Sequence, residues 1–89
     1  MQNLDTIGTM QTFLLNAYMN GNNHAHLTIY SGSIEVCVYC NTEEEQAEIE
    51  KIGYKIMKDG YVIEKMNTTG EYGTSYNVVM SYENAEFGI

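Results

Sequence analysis

Apolar and polar residues change rhythm several times along this 89-residue chain, and each rhythm predicts an element. From Leu4 to Met19 the apolar positions Ile7, Met10, Leu14 and Tyr18 recur at helical spacing, flanked by Phe13 and Ala17, which predicts an amphipathic helix. Asn3 or Asp5 is placed to cap its start, and Asn20-Gly21 to stop it. After the polar loop at 20–23 the period falls to two. Ala25, Leu27 and Ile29 alternate with His24, His26, Thr28 and Tyr30, and Ile34, Val36, Val38 and Cys40 alternate with Ser33, Glu35, Cys37 and Tyr39. A two-residue Ser31-Gly32 turn sets Ile29 opposite Ile34, Leu27 opposite Val36 and Ala25 opposite Val38, so every apolar side chain lands on one face.

A second helix begins at Thr42, where Thr42 and Glu45 have the spacing of a capping box and Glu43 and Glu44 suit the positive end of the helix dipole. Ile49, Ile52 and Ile56 form its inner stripe. Two readings exist for its end. In the favoured one Gly53 terminates it, and Tyr54–Met66 forms a hairpin about Asp59-Gly60 that sets Ile56 opposite Ile63 and Lys55 opposite Glu64. In the other the helix runs on to Lys58. Asn67–Glu71 then loops into a last strand in which Tyr76, Val78, Met80 and Tyr82 alternate with Asn77, Val79 and Ser81, and residues 83–89 read as a loose tail. The order is α-β-β-α-β-β-β, or α-β-β-α-β-β with the longer helix. Both give one α+β domain over residues 1–89, a mainly antiparallel sheet with two helices on one face.

Charge narrows the functional classes. Twelve acids against four lysines and no arginine give a net charge of −8. Residues 1–50 hold seven of the acids and no Lys or Arg, while all four lysines (Lys51, Lys55, Lys58, Lys65) fall between 51 and 65. Direct binding to nucleic acid needs clustered Lys and Arg, and so does binding to an anionic membrane. Neither is expected. The charge leaves a basic protein, a cation or no particular partner open. No apolar run approaches the roughly 20 residues that span a bilayer. The first residues have no basic signal region, and two cysteines without one fit a reducing cytosol. The expected location is cytoplasmic, in a bacterial host cell.

Chemistry offers little. Cys37-Val-Tyr-Cys40 has the spacing of zinc clips and redox dithiols, but residues three apart in a strand point to opposite faces. Cys40 is expected in the core and Cys37 on the outer face opposite His26, an arrangement that neither clips one ion nor forms a relaxed disulfide. His24, His26 and Cys37 on one flat face make a poor tetrahedron. The Cys37–His26 pair is the one conceivable nucleophilic dyad, and Glu35 beside it opposes thiolate formation. The sequence reads as a non-enzymatic protein with no metal and no cofactor. Binding fits better, because Tyr30 and Tyr39 on the outer hairpin face supply contact area at low entropic cost. Glu43, Glu44 and Glu48 project outward from the second helix, which as an ordinary solvated face needs no partner at all.

In size, acidity, lack of arginine and proline, and an Asn-, Tyr-, Lys-, Glu- and Ile-rich vocabulary, the chain resembles small acidic inhibitors of phages and mobile elements, of the anti-CRISPR and anti-restriction type. The resemblance is one of class, with no family motif. It implies an inhibitor that occupies a basic nucleic-acid-binding surface of a bacterial defence effector, its carboxylates standing where phosphates would. The residues placed for that contact are Glu43, Glu44, Glu48 and Glu50, helped by Glu35 and Tyr39. The lysines at 51–65 argue for a one-sided acidic patch and against all-round imitation of DNA. The alternative is a small self-associating module, a homodimer through a sheet edge.

Overall fold

The computed structural model describes residues 2–84 and residue 87. Its elements are α1 (Gln2–Met19), β1 (Ala25–Tyr30), β2 (Ser33–Cys40), α2 (Glu43–Ile56), β3 (Val62–Gly70) and β4 (Gly73–Glu83). One antiparallel sheet holds the strands in the order β1-β2-β4-β3. The expected α+β class is therefore found. Met10, Phe13 and Ala17 of α1 and Ile49 of α2 are buried in one core with Ile34, Val36, Val38, Val78 and Met80 of the sheet, so both helices cover the same face. No helix among the described residues is long and apolar enough to cross a membrane.

The first hairpin has the expected register, Ala25 to Val38, Leu27 to Val36 and Ile29 to Ile34. Its turn is closed from outside: Gly32 N donates to Phe87 O (2.7 Å) and Asn84 N to Gly32 O (2.9 Å). Phe87 is buried in the core, so at the positions described the C-terminal segment is a plug and not a loose tail. The expectation for residues 85, 86, 88 and 89 lies outside the described residues. The turn after α1 is a left-handed glycine stop. Gly21 has φ of 95°, and the bonds Asn22 N to Ala17 O and Gly21 N to Tyr18 O close the helix.

Three expectations need correction. The helix α1 buries a stripe rotated from the one predicted, with Met10, Phe13, Ala17, Thr6 and Thr9 inside and Tyr18 exposed. Threonine is tolerated there because Thr9 Oγ1 donates to Asp5 O (2.9 Å). Asn3 and Asp5 both lie within α1 (Gln2–Met19), neither at its cap. The third correction concerns Gly53, which does not stop α2. The helix continues to Ile56, and Met57 caps it with its N–H on Gly53 O (2.8 Å). Gly53 is instead a contact point, with Ile63, Phe13 and Met80 closing on the place a Cβ would fill.

The Asp59-Gly60 hairpin is accordingly absent. Gly60, with φ of 88°, turns the chain out of α2 and into β3, which pairs with β4: Ile63 faces Met80 and Glu64 faces Val79. The second hairpin turns at Glu71-Tyr72, between Gly70 and Gly73. A helix that carries Ile49, Ile52 and Ile56 over the sheet buries more apolar surface than one cut short at Gly53, and that burial outweighs the local turn cue.

Candidate functional site

The sheet's pairing brings unexpected residues together at one end of the molecule. The strand β2 ends at Cys40, opposite Tyr76. The ladder between β3 and β4 runs on past it, through Thr68 with Ser75 and Thr69 with Thr74 to Gly70 with Gly73. This extension is an arm with no third strand beside it. Residues 68–74 are all exposed, and Tyr72 at its tip is 100% exposed. A facing pair of threonines stiffens it by cross-strand contact, Thr69 Oγ1 to Thr74 Oγ1 at 3.1 Å.

The arm is fastened at its root to the first turns of α2. Gln46, 5% exposed, donates through Nε2 to Asn67 Oδ1 (2.9 Å) and to Asn77 O (3.0 Å). Asn77 is buried too and donates to Thr68 Oγ1 (3.3 Å). The start of α2 is held in turn by its N-cap, with Thr42 Oγ1 accepting from Glu45 N (3.1 Å). The reciprocal half of the capping box is displaced by one residue: Glu45 Oε1 accepts from Asn41 N (3.2 Å). Glu45 Oε2 accepts from Asn22 Nδ2 (2.7 Å), and the same amide donates to Tyr39 O (2.7 Å). Helix start, strand end and arm are therefore one braced unit.

Two clefts meet at Asn41 on this end. One, of about 300 Å³, lies against Asn41, Thr42, Glu43, Glu44 and Tyr76. The other, of about 400 Å³, separates the arm residues Thr68, Tyr72 and Ser75 from His24 and Tyr39. The Tyr39 ring packs 4.6 Å from His24 and 5.6 Å from His26, centre to centre.

The six residues expected to bind a partner divide among three places. Glu43 and Glu44 are exposed at the braced end. Glu48 is exposed further along α2 and accepts from Asn20 Nδ2 (3.1 Å). Glu50 turns toward β3, where Lys65 Nζ lies 3.9 Å away. Glu35 and Tyr39 lie on the opposite, helix-free face of the sheet. Glu35 there accepts from Tyr30 OH (3.0 Å), which with the carboxylate charge pushes the Tyr30 phenol above its ordinary value. A single patch containing all six does not form. Tyr76, which the sequence reading did not select, shares the first cleft with Glu43 and Glu44, and Glu71 and Tyr72, also not selected, line the second. The signal for them was present in Gly70-Glu-Tyr-Gly73, a two-residue turn between glycines with Thr68-Thr69 before it and Thr74 after it.

Lys55 and Lys58 sit apart from this end, while Lys51 is eight residues along α2 from Glu43 and Lys65 faces Glu50. From Glu43 to Lys55 is twelve residues of helix, or roughly 18 Å at 1.5 Å per residue. That exceeds two screening lengths of about 8 Å at physiological salt, so Lys55 weakens the negative field of Glu43 little.

The cysteines behave as core residues. Cys40 is 1% exposed and faces the helices, while Cys37 is covered on the opposite face. Burial, then the charge of Glu45, pushes the Cys40 thiol up to about 12. Burial raises Cys37 as well, with a smaller opposing effect from its hydrogen bond with Tyr39. His26 does pair with Cys37 across the strands, but a raised thiol is not an activated nucleophile. Among the described residues no group of His, Cys, Asp and Glu is arranged to hold a metal ion.

Compared with protein-family models, with curated proteins and with solved structures, the chain has no match in any of the three. Its functional reading therefore rests on this surface.

Proposed function

We propose that this protein is a non-enzymatic inhibitor that lays its braced acidic end into a basic, nucleic-acid-binding groove of another protein. The observation that carries the reading is the distribution of charge at this end. Glu43 and Glu44 at the start of α2 and Glu71 and Tyr72 at the tip of the arm are all exposed, and the first two turns of α2 contain no lysine. Carboxylates fixed on a braced frame lose little freedom on binding. They also steer association with a groove of opposite charge. The tyrosine adds contact area that carboxylates lack. The class of partner, a bacterial defence effector, comes from the resemblance to small phage inhibitors.

The test is capture of proteins from a nuclease-treated bacterial lysate by the immobilised chain, with a short DNA duplex as competitor. The expected catch is a basic nucleic-acid-binding protein, released by the duplex and by added salt, and not retained by the double variant Glu43→Lys, Glu44→Lys. Retention of the same protein by that variant, or indifference to the duplex, would refute the reading.

A further inference from the structure

The lateral edge of the sheet formed by β1 has a different character from the acidic end. Residues 6–34 contain no Asp, Glu, Lys or Arg, and they form nearly all of α1 and the whole of the edge strand β1. Tyr39 N donates to His24 O (2.9 Å). By antiparallel alternation His26, Thr28 and Tyr30 then carry the bonds to β2, and Ala25, Leu27 and Ile29 turn their N–H and C=O groups outward. The outward carbonyl of Ala25 accepts from Tyr18 OH (2.8 Å), which places this flank of α1 alongside the strand's open edge. Leu15 and Met19 share the helical stripe of Tyr18, and they are 57% and 82% exposed. Ile29, on the edge itself, is 49% exposed.

Edge strands are ordinarily guarded by charge, proline or a bulge. The other edge, β3, has Glu64 and Lys65 within it. The edge β1 has no such guard.

We infer that β1 is a self-association edge, and that its occupant is a second copy of this chain paired antiparallel about a two-fold axis through Leu27. That register sets Leu27 against Leu27 and Ala25 against Ile29 of the second copy, so all three outward residues of each strand find partners. It also brings the two Leu15–Met19 stripes to flank the join. The charge pattern selects this occupant. Two chains of net charge −8 repel wherever their acidic surfaces meet. The flank formed by α1 and β1 supplies no charge of its own between residues 6 and 34, and the nearest carboxylates, Glu35, Glu45 and Glu48, are held by Tyr30, Asn22 and Asn20, so the penalty is smallest there. A basic partner finds no complementary charge there. The pairing joins two four-stranded sheets into one and leaves both acidic arms, on the far strands, unobstructed. It holds whether or not those arms bind a groove.

Sedimentation equilibrium from micromolar to near-millimolar concentration tests it, with amide hydrogen exchange read at Leu27 and Ile29. The expected result is a mass twice the 10.1 kDa of the chain, with both amides protected at high concentration and exchanging freely at low. A lysine forced into the paired edge is unpaired, so Ile29→Lys should weaken dimerisation about a hundredfold or more while the circular dichroism spectrum is kept. Should that variant not fold, Met19→Glu, at an exposed helical site, serves in its place, and the wild-type amides decide independently. A single-chain mass throughout, open-ended growth beyond the dimer, or a dimer indifferent to these changes with Leu27 and Ile29 unprotected would overturn the inference.

Discussion

The Cδ1 atom of Ile63 lies 3.0 Å from the point where a Cβ on Gly53 would sit, with Phe13 Cε1 at 3.4 Å and Met80 Cε at 3.5 Å. This contact lets α2 settle onto α1 and the sheet. Ile63 belongs to an edge strand and is only half-buried, so its terminal methyl can move aside. Gly53→Ala also gains about 1 kcal/mol of helix propensity. The two effects nearly cancel, and the variant should stay within about 1 kcal/mol of wild type. Gly53→Val has no such latitude and should lose about 2 kcal/mol or more through overpacking. Urea unfolding midpoints of the two variants check the difference.

Asn22, 5% exposed, joins three segments at once. Its amide donates to Tyr39 O and Glu45 Oε2, and its Oδ1 accepts from His24 N (2.8 Å). Asn22→Ala leaves those groups without their partner and should cost about 2–3 kcal/mol. Asn22→Asp is expected to be worse at neutral pH, because it sets a second carboxylate against Glu45, and to recover part of the loss in acid as one of the pair takes a proton. Chemical denaturation at the two pH values distinguishes these outcomes.

Alkaline instability follows from Cys40. Its thiol pKa rises from an ordinary 9.0 to about 12 in the folded protein. Below the first value both states hold the proton. Between the two the unfolded chain loses it and the folded chain does not, so stability falls as pH rises, by up to about 1.4 kcal/mol per pH unit for this one group. Cys40→Ala should flatten that slope, although it lowers stability at neutral pH by leaving a cavity. Neither native cysteine is expected to react with a thiol reagent at neutral pH without prior unfolding.

The arm should be nearly silent in stability. Tyr72→Ala, at a fully exposed turn position, is expected to change the unfolding free energy by less than about 0.5 kcal/mol. Gln46→Ala, at the arm's root, removes two buried hydrogen bonds and should cost about 2 kcal/mol. Both should impair binding at the acidic end if that end is the contact surface, the first without disturbing the fold. Melting curves beside binding curves separate the two cases.

The first hairpin was legible because two strands of period two and a two-residue turn admit one register that puts Ile29, Leu27, Ile34 and Val36 on a single face. The start of α2 was legible through Thr42 and Glu45. Gly53 and Asp59-Gly60 misled for a common reason: a glycine near a helix end and an Asp-Gly pair carry the same local signal whether they stop a helix, make a hairpin or do neither. What decides is the approach of Phe13, Ile63 and Met80, residues far apart in the chain. The rotated face of α1 was hidden because threonines that bond their own helix backbone pack as apolar residues do. The candidate site was half visible. Glu43 and Glu44 stand where the acidic helix was expected, but Glu71 and Tyr72 extend from the same end only because β3 and β4 outrun β2, and strand lengths depend on pairing that no single segment encodes.

The hairpin arm has a bearing on how this molecule can change over generations. Beyond Thr68, which accepts from buried Asn77, residues 69–74 are exposed and pair only with one another, so the fold tolerates many polar sequences there that keep Gly73 at its φ of 114°. The segment that reaches farthest toward another molecule is thus the one the architecture polices least, and a shift in its target would find raw material at the tip long before it disturbed the core.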